Sequence, residues 1–282
     1  MRLYQMHYSP WSERARWALD HHHLSHEKVE HVPVLGVPLL RVAAKKPTGP
    51  ISVPLLIDGG TAVQGSFDIA RHAEEKGSGE PLFPAGSAEA IERWNQVGEG
   101  MVEAGRVLVT RKVASDKEAQ RESAPGFVPE GLRGAVASGT GLVVAMLARK
   151  YGFAGVSDAT ARSQAREGLL KLRAALSTGS THLVGDGFTY ADLMMAASLQ
   201  FLRPVADLYM PIGPATRRCW SNPDLADEFS DLLAWRDQIY AEHRKLSRAA
   251  GSDRGGRRCA GRRRRGPGRP GRGGRREGRR CG

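Results

Sequence analysis

The chain has 282 residues, enough for two ordinary domains or one large one with a core of normal size. Its formal net charge of +12 points toward nucleic acid or an acidic surface, yet residues 251–282 hold 13 arginines against only Asp253 and Glu277, so the first 250 residues are close to neutral. Cys219 is the one cysteine before residue 251, which excludes a disulfide framework there. The N-terminus lacks the basic region and apolar core of a secretory signal, and the most apolar stretch, 141–148, falls far short of the roughly 18 to 20 residues that span a bilayer. The expectation is a soluble cytoplasmic protein with no membrane partner.

Residues 1–6 read as a strand that enters Tyr8-Ser9-Pro10-Trp11-Ser12, after which 13–19 take up helical spacing. Such a turn presents two hydroxyls and several free backbone N–H groups at the positive end of a helix dipole, where an anion or an ionising thiol is stabilised. An ordinary capped helix start uses the same residues, since Ser is a good N-cap and Pro a good first-turn residue. Residues 28–34 alternate as a half-buried strand does. The Pro- and Gly-rich stretch 36–50 reads as a loop with a short helix at Val37-Pro38-Leu39-Leu40. Strands over 52–58 and 61–64, joined by Gly59-Gly60, form a hairpin. Pro54 cannot donate to a sheet, so it belongs at a strand start or edge; a cis bond there would turn the Val53 N–H and carbonyl toward Ser9. A helix follows from Ser66 to residue 75. The order β-α-β-(loop/α)-β-β-α describes a compact α/β unit with helices against a small mixed sheet.

From residue 87 the patterning is helical only, with helices expected over 88–113, 140–151, 159–176 and 224–246. Gly98, Gly100 and Gly105 weaken the first of these, and 117–139 is punctuated by Pro and Gly. Thr189 with Asp192 forms a capping box, and Phe188 with Leu193 a hydrophobic staple. The helix they open, running through 194–202, has little polar surface and belongs in the core. His21-His22-His23 and His26 are metal-ligand types, but consecutive residues point to different sides of a helix end, so they read as a surface turn and no metal is expected. The tail at 251–282 is almost wholly Arg, Gly, Pro and Ala with Cys259 and Cys281, and is disordered by composition. It fits phosphate binding by arginine, a passive solvated extension, or out-of-frame translation of GC-rich DNA. The last is preferred, and nucleic acid is a partner only if the tail is genuine.

Taken in order and at their spacing, Tyr8-Ser9-Pro10-Trp11-Ser12-Glu13-Arg14, the Val53-Pro54 strand start, Gly65-Ser66 opening a helix, and Thr189-Tyr190-Ala191-Asp192 resemble the soluble glutathione transferase family over residues 1 to about 246. The resemblance implies a thioredoxin-like N-terminal domain at 1–78 that binds glutathione as co-substrate. It also implies an all-helical domain at 87–247 that supplies much of the pocket for a hydrophobic electrophile, and a homodimer. Ser9-Pro10-Trp11-Ser12 resembles the two-cysteine turn of thioredoxin-like redox proteins with serine at both outer positions, which excludes disulfide exchange there. What remains is activation of the ligand's own thiol. On this resemblance Ser9 is the first choice for the activating hydroxyl, Ser12 the second, and Tyr8 and Tyr4 follow. Val53, Pro54, Gly65 and Ser66 hold glutathione, with Ser66 on the γ-glutamyl carboxylate. Gly65 stands where the family usually has an acidic or amide residue, which leaves the ammonium contact to Asp68, Gln64 or a partner subunit. Trp11, Phe201, Tyr209 and Trp220 are candidates for the electrophile pocket, core packing being the other reading of such aromatics. The expected function is conjugation of the glutathione thiolate to a hydrophobic electrophile. The alternatives are a glutathione-dependent isomerase or dehalogenase, and a non-catalytic interaction protein of the same fold.

Overall fold

The computed structural model describes residues 1–124, 145–146, 148–177 and 179–246. They belong to one compact unit, Met1–Ser247; the arginine-rich tail and part of the helix expected over 140–151 lie outside the described residues. The first half contains β1 (Arg2–Gln5), α1 (Pro10–His21), β2 (Glu27–Glu30), α2 (Val37–Ala43), β3 (Leu55–Asp58), β4 (Thr61–Gln64) and α3 (Ser66–Lys76). The sheet runs β2-β1-β3-β4, parallel between β1 and β2 and antiparallel elsewhere. Side chains alternate across it and so feed two cores. Leu3 and Leu56 join Ala15, Leu19 and Ile69 on the face covered by α1 and α3, while Tyr4 and Leu55 meet Leu40 of α2 and Ile51 on the other. The strand expected over 28–34 stops at Glu30. Beyond it the chain turns, with the Gly36 N–H on the Val32 carbonyl at 2.8 Å and Val34 in the left-handed region at φ 67°.

The second half is helical: α4 (Ala88–Ser115), α5 (Lys117–Glu122), α6 (Asp158–Leu176), α7 (Tyr190–Ser198), α8 (Pro214–Trp220), α9 (Pro223–Glu228) and α10 (Ser230–His243). The single helix expected over 224–246 is therefore broken at Phe229 and ends three residues early. Helix α7 is buried on every side and continues into a 3-10 turn at Leu199–Phe201. Gly98 and Gly105, weak points for helix propensity, are where α4 approaches it. A Cβ on Gly98 would lie 2.1 Å from Met194 Sδ, and one on Gly105 2.5 Å from Phe201 Cγ. Asp192 accepts the N–H groups of Leu183 and Thr189 at 2.8 Å each and the Thr189 hydroxyl at 3.0 Å. The Phe188 ring stacks on His243 at 4.1 Å and lies 5.9 Å from Trp17. Among the described residues no helix is long and apolar enough to cross a membrane.

Helix α1 carries several buried charges. Arg244, just past α10, donates to Glu13 at 2.7 Å and to Asp20 at 2.9 Å. Glu13 also accepts from Arg16 at 2.9 and 2.7 Å, and Arg16 reaches the His7 carbonyl at 2.9 Å and the Gln5 side chain. None of these four ionic residues is more than 6% exposed. Burial raises the Glu13 carboxyl, but Arg244 and Arg16 outweigh it and hold the group below its ordinary range. The histidine run is not a uniform surface turn, because His22 is 1% exposed with no hydrogen-bond partner on either ring nitrogen. Burial first, then His21 and His23, push it down to about 4. No group of His, Cys, Asp and Glu among the described residues is placed to hold a metal ion.

Two stability measurements follow from these charges. Glu13→Gln removes the carboxylate that Arg16 and Arg244 share, leaving Arg16 with neutral acceptors only and Arg244 with Asp20, and is expected to cost about 3–5 kcal/mol in urea unfolding. His22 takes up a proton near pH 6.5 when unfolded but only near 4 when folded. Its contribution is therefore intact at neutral pH and lost as the pH falls between those values, by up to about 1.4 kcal/mol per pH unit. His22→Leu is expected to flatten that acid-side decline, as read from urea midpoints at about pH 7 and about pH 5.

Candidate functional site

The strand registers decide where the site lies. Tyr4 of β1 faces Leu55 of β3, and Leu55 faces Gln64 of β4. Three segments therefore leave the sheet at one end: the loop from Met6 to Ser9, Val53-Pro54, and Gly65-Ser66. The Val53–Pro54 bond is cis, and the Pro54 carbonyl accepts the Gly65 N–H at 3.0 Å. Helices α1 and α3 both start here, so two sets of free N–H groups and two positive dipole ends gather at the same end of the sheet.

Ser9 is the N-cap of α1, at φ −78° and ψ 127°, and is 5% exposed. Its hydroxyl oxygen accepts the Ser12 N–H at a long 3.5 Å, and its proton has no acceptor among the described residues. Ser12, the second choice from the sequence, is fully buried, and its hydroxyl oxygen accepts the Met6 N–H at 3.1 Å. It closes the loop from beneath and does not line the site. Tyr8 is half-buried and donates to the Met6 thioether at 3.6 Å. Burial, then Glu30 and Tyr151, push its phenol up to about 12, so it is a neutral donor at physiological pH. Tyr4 lies on the α2 face among Leu40, Ile51 and Leu55 and takes no part.

Ser66 is the first residue of α3 and is buried. Gly65 before it has φ 97° and ψ 145°, a conformation that favours glycine, and no atom lies within 4 Å of where a Cβ would stand. The missing side chain leaves open space beside unstrained backbone. Asp68, in the first turn of α3, is exposed.

Of the pocket aromatics expected from the sequence, Trp11 stands in the first turn of α1, two residues from Ser9. Its indole N–H donates to Glu99 at 2.7 Å, and Glu99 also takes Arg14, a fully buried residue that donates to Ser198 Oγ at 2.8 Å. This keys α4 to the first turn of α1. Phe201 is buried against Gly105, and Tyr209, partly buried, packs on Tyr240 with ring centroids 5.0 Å apart. Trp220 meets Tyr8 edge-on at 6.1 Å. Sequence reasoning missed Arg14, Glu99, Arg106 and Tyr151. The Arg106 guanidinium lies 4.2 Å from the Trp11 ring centroid and 4.1 Å from that of Tyr151. Arg106 and Tyr151 also wall a cleft of about 390 Å³ between α4 and α6. The only sequence signal was that Glu99 and Arg106 stand two helical turns apart on one face of α4.

Two family models match the chain: glutathione S-transferase, N-terminal domain, over residues 3–81, and glutathione S-transferase, C-terminal domain, over residues 115–238. Together they span more than two thirds of it. Similar solved structures include a glutathione S-transferase from Methylobacillus flagellatus with glutathione bound, at 18% identity and TM-score 0.52, covering 85% of this chain and 94% of that one. Another, from Methylobacterium radiotolerans in complex with glutathione sulfonate, has 21% identity and TM-score 0.54 over 86% of this chain and 90% of that one. A glutathione transferase from Phanerochaete chrysosporium has 15% identity and TM-score 0.58 over 87% and 98%. At these identities the structures show a shared fold. A search of curated proteins finds no match. The first model falls on the small mixed sheet with its helices and the second on the helical half, and the chain belongs to the glutathione S-transferase family.

Proposed function

We propose that this protein is a glutathione transferase that adds the glutathione thiolate to a hydrophobic electrophile, working in the cytoplasm as a homodimer. Glutathione binds the half at 1–78, and the electrophile is held against the helical half at 87–247. The observation that carries the reading is the convergence of the α1 and α3 N-termini with Val53-Pro54 at one end of the sheet. Two structures of the same fold hold glutathione or its sulfonate, which supports the ligand class.

In this arrangement the Val53 N–H and carbonyl pair with the extended backbone of the tripeptide. The Ser66 hydroxyl and the first N–H groups of α3 take its γ-glutamyl carboxylate. Open space at Gly65 lets that group approach closely, and Asp68 or the partner subunit supplies the ammonium contact. Ser9 donates its hydroxyl proton to the sulfur. A charge-assisted hydrogen bond contributes about 1.5–3 kcal/mol and the helix dipole about 0.3–1 kcal/mol. At about 1.36 kcal/mol per unit, these lower a thiol pKa near 8.5 by roughly one to three units. The thiolate is then a major species at neutral pH.

Purified protein is expected to be retained on immobilised glutathione and to accelerate its conjugation to an aryl halide. Ser9→Ala is expected to keep the retention, lose the thiolate absorbance of the bound ligand, and reduce kcat/KM about tenfold to hundredfold at neutral pH. Unchanged thiolate absorbance in that variant would move the role to Tyr8. A wild-type protein that neither binds glutathione nor conjugates it would overturn the transferase reading.

A further inference from the structure

Arg106 takes no part in thiol activation, yet its surroundings are those of a recognition group. Its guanidinium carbon lies over the rings of both Trp11 and Tyr151, at 4.2 and 4.1 Å from their centroids. Contact with ring faces does not use up the N–H donors of a guanidinium. Among the described residues none of those donors has a hydrogen-bond partner, and no carboxylate stands within ion-pair distance. The acidic groups facing it are Glu99 and Glu103. Both Glu99 oxygens are taken by Arg14 and Trp11, and Glu103 is exposed. Lys150 adds positive charge nearby, its ammonium 5.1 Å from the Tyr151 ring and bound to the Ile51 carbonyl at 3.1 Å. Burial works against the charge on Arg106, but a guanidinium keeps its proton in proteins. A partly buried cation without a counter-ion is unfavourable until an anion meets it.

The position of Arg106 joins two features already described. Trp11 is two residues from Ser9, and Tyr151 is near enough to Tyr8 to raise its phenol. On the other side Arg106 and Tyr151 wall the cleft between α4 and α6, whose lining sets Val97, Met101 and Phe153 beside Glu103, Glu167 and Lys171. A cation with no hydrogen-bond partner among the described residues therefore stands between a cleft of mixed lining and the turn that holds Ser9.

We propose that Arg106 sets the specificity for the second substrate by receiving a carboxylate carried on a flat apolar electrophile that lies along the cleft. The chemistry of this inference rests on the transferase reading; the binding does not. Arg suits a carboxylate because its planar fork donates two parallel hydrogen bonds. Glutathione carries carboxylates of its own, so the test separates the two sources.

The full-length protein and its Arg106→Gln and Arg106→Lys variants are titrated by calorimetry with 2-naphthoate, naphthalene-2-carboxamide and glutathione. The first two do not react with thiols. The wild type is expected to prefer the acid, and Arg106→Gln to lower its affinity about tenfold to hundredfold while leaving the carboxamide and glutathione within about twofold. Arg106→Lys, which keeps the charge without the fork, is expected to recover part of the loss. With a carboxylated aryl halide and its neutral analogue, Arg106→Gln is expected to raise KM for the acid alone. Equal loss on both naphthyl ligands would make Arg106 a packing residue, and loss on glutathione would assign its anion to the co-substrate; either result overturns the proposal. A wild type that prefers naphthoate yet conjugates nothing would defeat the transferase reading and leave the carboxylate anchor standing.

Discussion

The site depends on how α1 is held. Glu13 and Asp20 close on Arg244 from the end of the helical half, Arg16 closes on Glu13, and Arg14 closes on Glu99 from α4. Arg16 also reaches back to the His7 carbonyl, so this ion network grips the loop that carries Tyr8 and Ser9. The effect of a helix dipole falls off within the first turn, and a misplacement of about 1 Å can cost a hundredfold in positioned chemistry. Buried ion pairs seldom add net stability over apolar packing. Their contribution here is direction, because each guanidinium fixes its partners in plane and at a set distance, which a leucine contact does not.

Around that helix the two halves divide the work between different kinds of charge. The sheet end offers neutral donors and oriented dipoles: the Ser9 hydroxyl, the N–H groups opening α1 and α3, and the open backbone at Gly65. These stabilise negative charge that develops on a ligand without bringing a counter-ion of their own. The helical half brings full cations, Arg106 and Lys150, set against aromatic rings. Trp11 belongs to both regions, since its indole N–H binds Glu99 and its face meets Arg106. Gly65 fits the same logic. At φ 97° any other residue would be strained, and its empty flank leaves a path to the first N–H groups of α3.

Much of this was legible in the sequence wherever the signal was local. The hairpin at Gly59-Gly60, the helix start at Ser9-Pro10, the strand start after Pro54 and the box between Thr189 and Asp192 each rest on residues within a few positions of one another. Ser9 and Ser12 could not be told apart that way, since their difference comes from the Met6 N–H, which takes the Ser12 oxygen only once the loop closes. Phe201 and Tyr209 stood at helical spacing, but spacing does not say which neighbour a helix face meets; Gly105 decided the first and Tyr240 the second. The Arg14–Glu99 contact joins positions 85 apart. His22 is buried because the chain at Gly77 and Ser78 crosses it, with the Ser78 N–H on its carbonyl at 3.2 Å.

The most direct test of the account is a crystal structure of the protein with glutathione. The sulfur is expected within hydrogen-bond distance of Ser9 Oγ, with the γ-glutamyl carboxylate on Ser66 and the tripeptide backbone on Val53. A sulfur held by the Tyr8 hydroxyl, with Ser9 still turned inward onto the Ser12 N–H, would contradict it, as would glutathione bound away from this end of the sheet.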